Sequence, residues 1–249
     1  MPTPTFFRLP PERRERLVSE AIVEFSDRRF GEASLSQIVA RAGIAKGSVY
    51  QYFTDKLDLY RWLLVDEVPR RKRAFLERAT GHAGDLWAEL ETYVERSMAF
   101  LVEEPRLARI TAAAADPTAD EAVRGLHEAV CEAGNLELRA LLDRGRAAGL
   151  LSDAVEPEIA MRFVAAIVGP GLTEIVLHEI GASLHEVLAS EKLRRRLDAE
   201  RRRRLAKTAV RVVRHGVGRE SAPSERAVGA ASKRTGARTA RAPKRKEKR

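Results

Sequence analysis

Gly31-Glu-Ala-Ser-Leu-Ser-Gln-Ile-Val-Ala-Arg-Ala-Gly43-Ile-Ala-Lys-Gly-Ser-Val-Tyr50-Gln-Tyr-Phe53-Thr-Asp-Lys56 reads as two short helices meeting at a tight turn. Ser34 can cap a helix that carries Leu35, Ile38, Val39 and Ala42 and stops at Gly43. A glycine there takes the positive φ that lets the next helix leave at a steep angle, and Ile44 can plug the gap between the two. The next helix, Ala45 to Phe53, turns Val49 and Phe53 inward, four residues apart. This is the geometry of a helix-turn-helix, which presents the N-terminal turn of its second helix to the major groove of DNA.

The residues left on the outside suit that task. Ala45, Lys46, Gly47 and Ser48 are small or cationic: Lys46 can donate to guanine edges or phosphate, Ser48 can bond either, and Gly47 lets the backbone lie against a duplex. Tyr50 and Tyr52 offer hydroxyls on stiff arms for phosphate contact. Lys56 opens a further helix capped by Thr54 or Asp55, where an anionic phosphate is the natural partner. Ser34 offers the same on the opposite side, and Ser36, one turn in, reaches toward a base edge. The competing reading makes Tyr50, Tyr52 and Phe53 plain core aromatics; against it, Val49 and Phe53 already supply the buried pair.

Outward from this block, apolar residues recur at helical spacing and no stretch alternates long enough for a strand, so the chain is all-α. Pro10 and Pro11 open the first helix, with an inner face of Leu17, Val18, Ala21, Ile22 and Phe25. The helix from Lys56 runs to about Val68, where Pro69 interrupts it. Further helices cover Asp85–Glu103, Pro105–Ala115, about Pro117–Ala148 with Gly149 as its stop, Pro157–Ile180 bent or broken at Gly169-Pro170-Gly171, and Glu191–His215.

The chain has 249 residues, 33% of them charged, and a net charge of +9. That excess is not spread evenly. Residues 190–217 and 218–249 each hold eleven Lys/Arg against three Asp/Glu, so each carries +8 and residues 1–189 carry −7. The last segment has almost no large apolar residues and is expected to be disordered, a free polycation suited to lying along phosphates. One cysteine, Cys131, and five scattered histidines exclude a disulfide scaffold and a zinc module; no metal or cofactor is expected. No nucleophile elbow, P-loop or paired-acid constellation argues for an enzyme. The longest apolar runs fall short of the roughly 20 residues that cross a bilayer, and the N-terminus lacks a secretory pattern, so no membrane partner and a cytoplasmic location are expected.

Through Ile38, Ala42-Gly43, Lys46-Gly47, Tyr50-Gln51-Tyr52-Phe53 and Lys56, the chain closely resembles the TetR family of bacterial transcriptional regulators over about Pro11 to Val68. Ala45 stands where the family usually has Ser or Thr, and Leu57 where an acidic residue often follows the lysine. The resemblance implies a helix-turn-helix domain at 11–68, a helical ligand-binding and dimerisation domain at 69–217, and a basic tail at 218–249. It implies a homodimer packed through the helices at Pro157–Ile180 and Glu191–His215, bound to double-stranded DNA at a near-palindromic operator. A small apolar ligand would release it, as a repressor. Trp87, Tyr93, Met98, Phe100, Leu126 and Phe163 lie in the region of such a ligand, although any core helix carries residues of this kind. Two rivals are an architectural DNA-binding protein dominated by the tail and a helical ligand carrier that binds no DNA.

Overall fold

Helices are what these residues form, and loops with strong caps divide them. The computed structural model describes residues 1–77, 85–115 and 120–218, apart from the side chains of Lys46, Ala115, His127 and Val217. The basic tail from 219 onward, His82, and the start expected for a helix at Pro117 lie outside the described residues. Among the described residues there is no strand; one isolated bridge joins Leu151 to Gly218.

The head begins with a short helix α1 (Pro4–Phe7) and continues through α2 (Pro11–Asp27) and α3 (Leu35–Arg41). A six-residue 3₁₀ segment, Lys46–Gln51, follows; it is called the recognition turn below. Next come α4 (Lys56–Trp62), a π-helical turn at Leu63–Glu67, and α5 (Val68–Glu77). The helix expected to end near Val68 therefore runs straight on through Pro69. A π turn is one residue wider than an α turn, and here it lies directly ahead of the proline whose missing N–H and ring would otherwise disrupt the ladder.

The body is built from α6 (Leu86–Glu103), α7 (Pro105–Ala115), α8 (Glu121–Arg124), α9 (His127–Ala147), α10 (Pro157–Ala166), α11 (Leu172–Ile180), α12 (Leu184–Ala189), α13 (Glu191–Arg194) and α14 (Ala199–Val217). Asp85 lies just outside α6 and caps it by accepting from the N–H groups of Trp87 and Ala88, and Gly149 takes φ 70° after α9, the stop its position suggested. Between α10 and α11 a second π turn, Ile167–Gly171, carries Pro170 without breaking the helix. A Cβ on Gly171 would stand 3.0 Å from the Ala166 carbonyl, so a larger residue there would push that carbonyl back by a few tenths of an ångström.

That continuity overturns an expectation. Pro157–Ile180 forms 24 unbroken helical residues, long and apolar enough to cross a membrane. One face of it is packed into the body, however, through Ala160, Met161, Val164, Val168, Leu172, Val176 and Ile180. The single helix expected at Glu191–His215 is in fact α13 and α14, separated by a fresh N-cap in which Asp198 accepts from the Arg201 N–H.

Two apolar cores result. The head core gathers residues from α1 to α5 and extends to Ala99 and Phe100 of α6, Leu107, Ile110 and Ala114 of α7, and Val130 of α9. The body core takes the other end of α6, from Leu86 to Met98, with α9 to α12 and α14. Helix α6 thus serves both, and α7 lies against the head. Arg109 of α7 reaches in both directions, donating to the Leu188 carbonyl of α12 at 2.8 Å and standing 3.6 Å from the Asp27 carboxylate of α2.

The long helix is further pinned to the head by a buried acid. Glu67, 5% exposed, accepts from Arg70 and Arg71 at 2.7 Å each, and Arg71 also donates to Glu15 of α2 at 2.6 Å. Burial pushes the Glu67 carboxyl up, but the two guanidinium groups outweigh it and hold the carboxyl below its usual range. A carboxyl depressed in the folded state stabilises above its unfolded range and loses that contribution as pH falls through the folded value. Glu67→Gln is expected to cost about 1–3 kcal/mol near neutral pH and to flatten the loss of stability below the carboxylate range. Chemical denaturation from neutral to acid pH measures both.

Candidate nucleic-acid interface

A six-residue 3₁₀ segment makes few hydrogen bonds of its own, so its position depends on its surroundings. Gly43 takes φ 69° after α3, and the Ile44 N–H then donates to the Val39 carbonyl at 2.9 Å, which turns the chain back. Val49 and Phe53 are buried, as the spacing implied, and Ile44 packs partly against them. The structure differs from the expected α-helix at 45–53 in winding tighter and starting without a side-chain cap, because Ala45 has none to give.

Helix α3 is bolted to α2 at both ends by one carboxylate. Glu24, 2% exposed, accepts from the Ser34 N–H at 2.9 Å at the start of α3 and from Arg41 at 2.9 Å at its end. Arg41 also donates to Glu20 at 2.7 Å. Burial raises the Glu24 carboxyl, while the Ser34 N–H and Arg41 more than offset it and keep it depressed.

The predicted site residues divide into two groups. Gly47 and Tyr50 are exposed on the recognition turn, Tyr50 at 58%, with Ser48 half-buried between them. A Cβ on Gly47 would meet nothing within 4 Å, so that flank is open to a large partner. Lys46 opens the turn, and Ser36 is exposed in the first turn of α3. Ser34 is half-buried, and its Oγ accepts from the Gln37 N–H at 3.3 Å, the cap its position suggested.

Tyr52 and Lys56 belong with the frame. Tyr52 is 8% exposed, its ring centroid 6.4 Å from that of Phe6, so of the two tyrosines only Tyr50 stands out as an arm. The ammonium of Lys56 donates to the carbonyls of Phe30, Gly31 and Ala33 at 2.7, 3.3 and 3.0 Å and lies 4.6 Å from the Phe30 ring centroid. An ammonium has three donors, and all three are engaged. Through these bonds Lys56 ties the loop between α2 and α3 to the start of α4. Residue spacing gives no hint of this, because carbonyl acceptors carry no residue identity.

Sequence reasoning also missed Phe6, which is fully buried in the head, with its ring centroid 5.0 Å from both Phe53 and Trp62. The Phe6-Phe7 pair ahead of Pro10-Pro11 was the available signal. Of the side chains considered for a body ligand, Met98, Phe100 and Leu126 are buried, Trp87 and Tyr93 half-buried, but Phe163 is 64% exposed and faces away from the interior.

With this geometry in place, the comparison with known proteins is specific. The family model for bacterial regulatory proteins of the tetR family matches residues 17–62, which span α2, α3, the recognition turn and α4. Residues 17–62 thus match the N-terminal domain of the tetR family. The chain is similar to the HTH-type transcriptional activator FasR of Mycolicibacterium smegmatis, 36% identical over 92 residues that cover 35% of this chain and 42% of that protein. It is also similar to the HTH-type transcriptional regulator YdgC of Bacillus subtilis, 32% identical over 102 residues covering 40% of this chain and 52% of that one. The chain thus spans about half or less of the length of these curated relatives. A crystal structure of a TetR family transcriptional regulator from Chloroflexus aurantiacus aligns over 88% of this chain and 100% of its own, with 29% identity and a TM-score of 0.57.

The frame role of Lys56 has a direct test. Lys56→Met is expected to lower stability by about 1–3 kcal/mol and to leave the salt dependence of DNA binding unchanged for the folded protein. A phosphate anchor would instead reduce the slope of log affinity against log salt by about one. Titrations at several salt concentrations, beside a denaturation curve, separate the two.

Proposed function

We propose that this chain is a homodimeric, sequence-specific DNA-binding regulator of transcription, a cytoplasmic repressor released from a near-palindromic operator by a small apolar molecule bound in its helical body. The observation that carries the reading is the recognition turn, a short segment with Gly47 and Tyr50 exposed and Ser48 half-buried between them, held on a buried frame. Lys46, Gly47, Ser48 and Ser36 meet base edges and nearby phosphates, Tyr50 reaches the backbone, and Ser34 closes the far side at the start of α3. Residues 11–68 act as the reading head, 69–217 as the responding body, and 218–249 as a basic appendage that adds affinity for phosphates without reading sequence.

An exposed apolar stripe supports the homodimer. Ile159, Phe163, Pro170 and Ile175 stay exposed along the helix from Pro157 to Ile180. A π turn inserts one residue, so Ile175 falls where an α-helix would place the residue eleven after Phe163, on the same face. Val212 of α14 is exposed as well, at 56%. A two-fold pairing of these faces would bury the stripe and set two heads one helical repeat apart, about 34 to 36 Å.

FasR, named as an activator, makes activation the second reading. A reporter with the selected operator placed over or upstream of its promoter decides the sign. Selection from a random duplex pool by the full chain is expected to enrich a near-palindrome. On that duplex, Lys46→Ala should cost about 1–3 kcal/mol and relax one position, while Tyr50→Ala should weaken all sequences alike; enrichment of no sequence would refute the reading. Phe163→Glu is expected to give a folded monomer in sedimentation, and a dimer that survives it would refute the proposed interface.

A further inference from the structure

Residues 3–9 lie outside the segment that the family model matches, yet they close the end of the recognition turn. The last carbonyls of a short helix have no partners within it and must find them elsewhere. Here Thr3 supplies both: its backbone N–H donates to the Tyr52 carbonyl at 2.9 Å, and its hydroxyl donates to the Gln51 carbonyl. Three residues on, Phe6 is wedged between Phe53, at the end of the turn, and Trp62 of α4. The far end of the arm is fixed as well, since Arg14 of α2 donates to the Phe7 carbonyl at 3.1 Å and Leu9 packs on the head core. The arm therefore joins α2, α4 and the recognition turn, the three pieces whose relative angle sets where Tyr50 points.

We propose that Thr3 and Phe6 are positioning residues for base reading: the arm sets the tilt of the recognition turn without touching DNA. This rests on the DNA-binding reading above. Hydrogen bonds to base edges tolerate errors of only about 0.5 Å and 10–20° in the groups that make them, whereas attraction to the phosphate backbone is long-ranged and forgiving. Loosening the arm should therefore erode discrimination between sequences much more than affinity for DNA in general.

The test uses the full chain, a duplex enriched by the wild-type protein from a random pool, and a scrambled duplex of the same composition. Thr3→Val removes one hydroxyl from a half-buried site and keeps the backbone donor. It is expected to lower the ratio of selected to scrambled affinity by about threefold to tenfold and to speed amide exchange across residues 46–53. Phe6→Ala should lower the ratio by about tenfold or more, with scrambled-duplex affinity within about twofold of wild type, and Phe6→Leu should restore most of it. A Thr3→Val protein with the wild-type ratio and wild-type exchange would overturn the proposal, even if Phe6→Ala fails to fold. Equal losses on both duplexes in Thr3→Val would also overturn it. If the wild-type chain enriches no duplex, the DNA-binding reading fails by itself, and exchange at 46–53 in Thr3→Val still decides whether the arm holds the turn.

Discussion

A recognition element of six residues in 3₁₀ geometry cannot hold its own shape, and the head is organised around that constraint. A longer α-helix would be stiffened by its own ladder, but a 3₁₀ segment of this length has poorer hydrogen-bond geometry and few bonds. Support comes from outside. Glu24 fixes both ends of α3, Lys56 ties the preceding loop to α4, and Phe53 anchors the end of the turn beneath Phe6. Each of these groups is buried or fully bonded, so the outward positions around Gly47 and Tyr50 are left free for a partner.

The body packs on this frame through helices that contribute to both cores. The chain passes from Lys56 to Glu77 without a break because a π turn absorbs Pro69, and Glu67 with Arg71 ties that passage to α2. Helix α6 contributes to both cores. Arg109 of α7 holds a carbonyl of α12 on one side and stands near Asp27 of α2 on the other, and its Nε is buried without a partner. A change in packing between α7 and α12 would be felt by α2 through Arg109.

Local signals in the sequence were legible, and distant ones were not. Gly43, the Val49 and Phe53 pair, the Ser34 cap and the stop at Gly149 all follow from spacing or from one residue's conformational preference. The two prolines misled because proline reports only its own missing donor, whereas continuity at Pro69 and Pro170 depends on π turns held by packing on either side. Lys56 has the residue type that suits a phosphate, while its carbonyl acceptors, 23 to 26 residues away, leave no mark on residue spacing. Glu24 sits on an otherwise apolar face, and its partner Arg41 is 17 residues on. Two signals were readable and overlooked: the Ser183-Glu186 capping box that starts α12 and the Asp198 cap that starts α14.

The central claim is that the turn from Lys46 to Gln51 enters the major groove. Methylation interference with the full chain on its selected duplex reports this directly, because methylation of guanine N7 blocks that groove. The expected result is interference in two groove segments about 34 to 36 Å apart on one face of the duplex. Binding that is indifferent to N7 methylation throughout the protected region would contradict it.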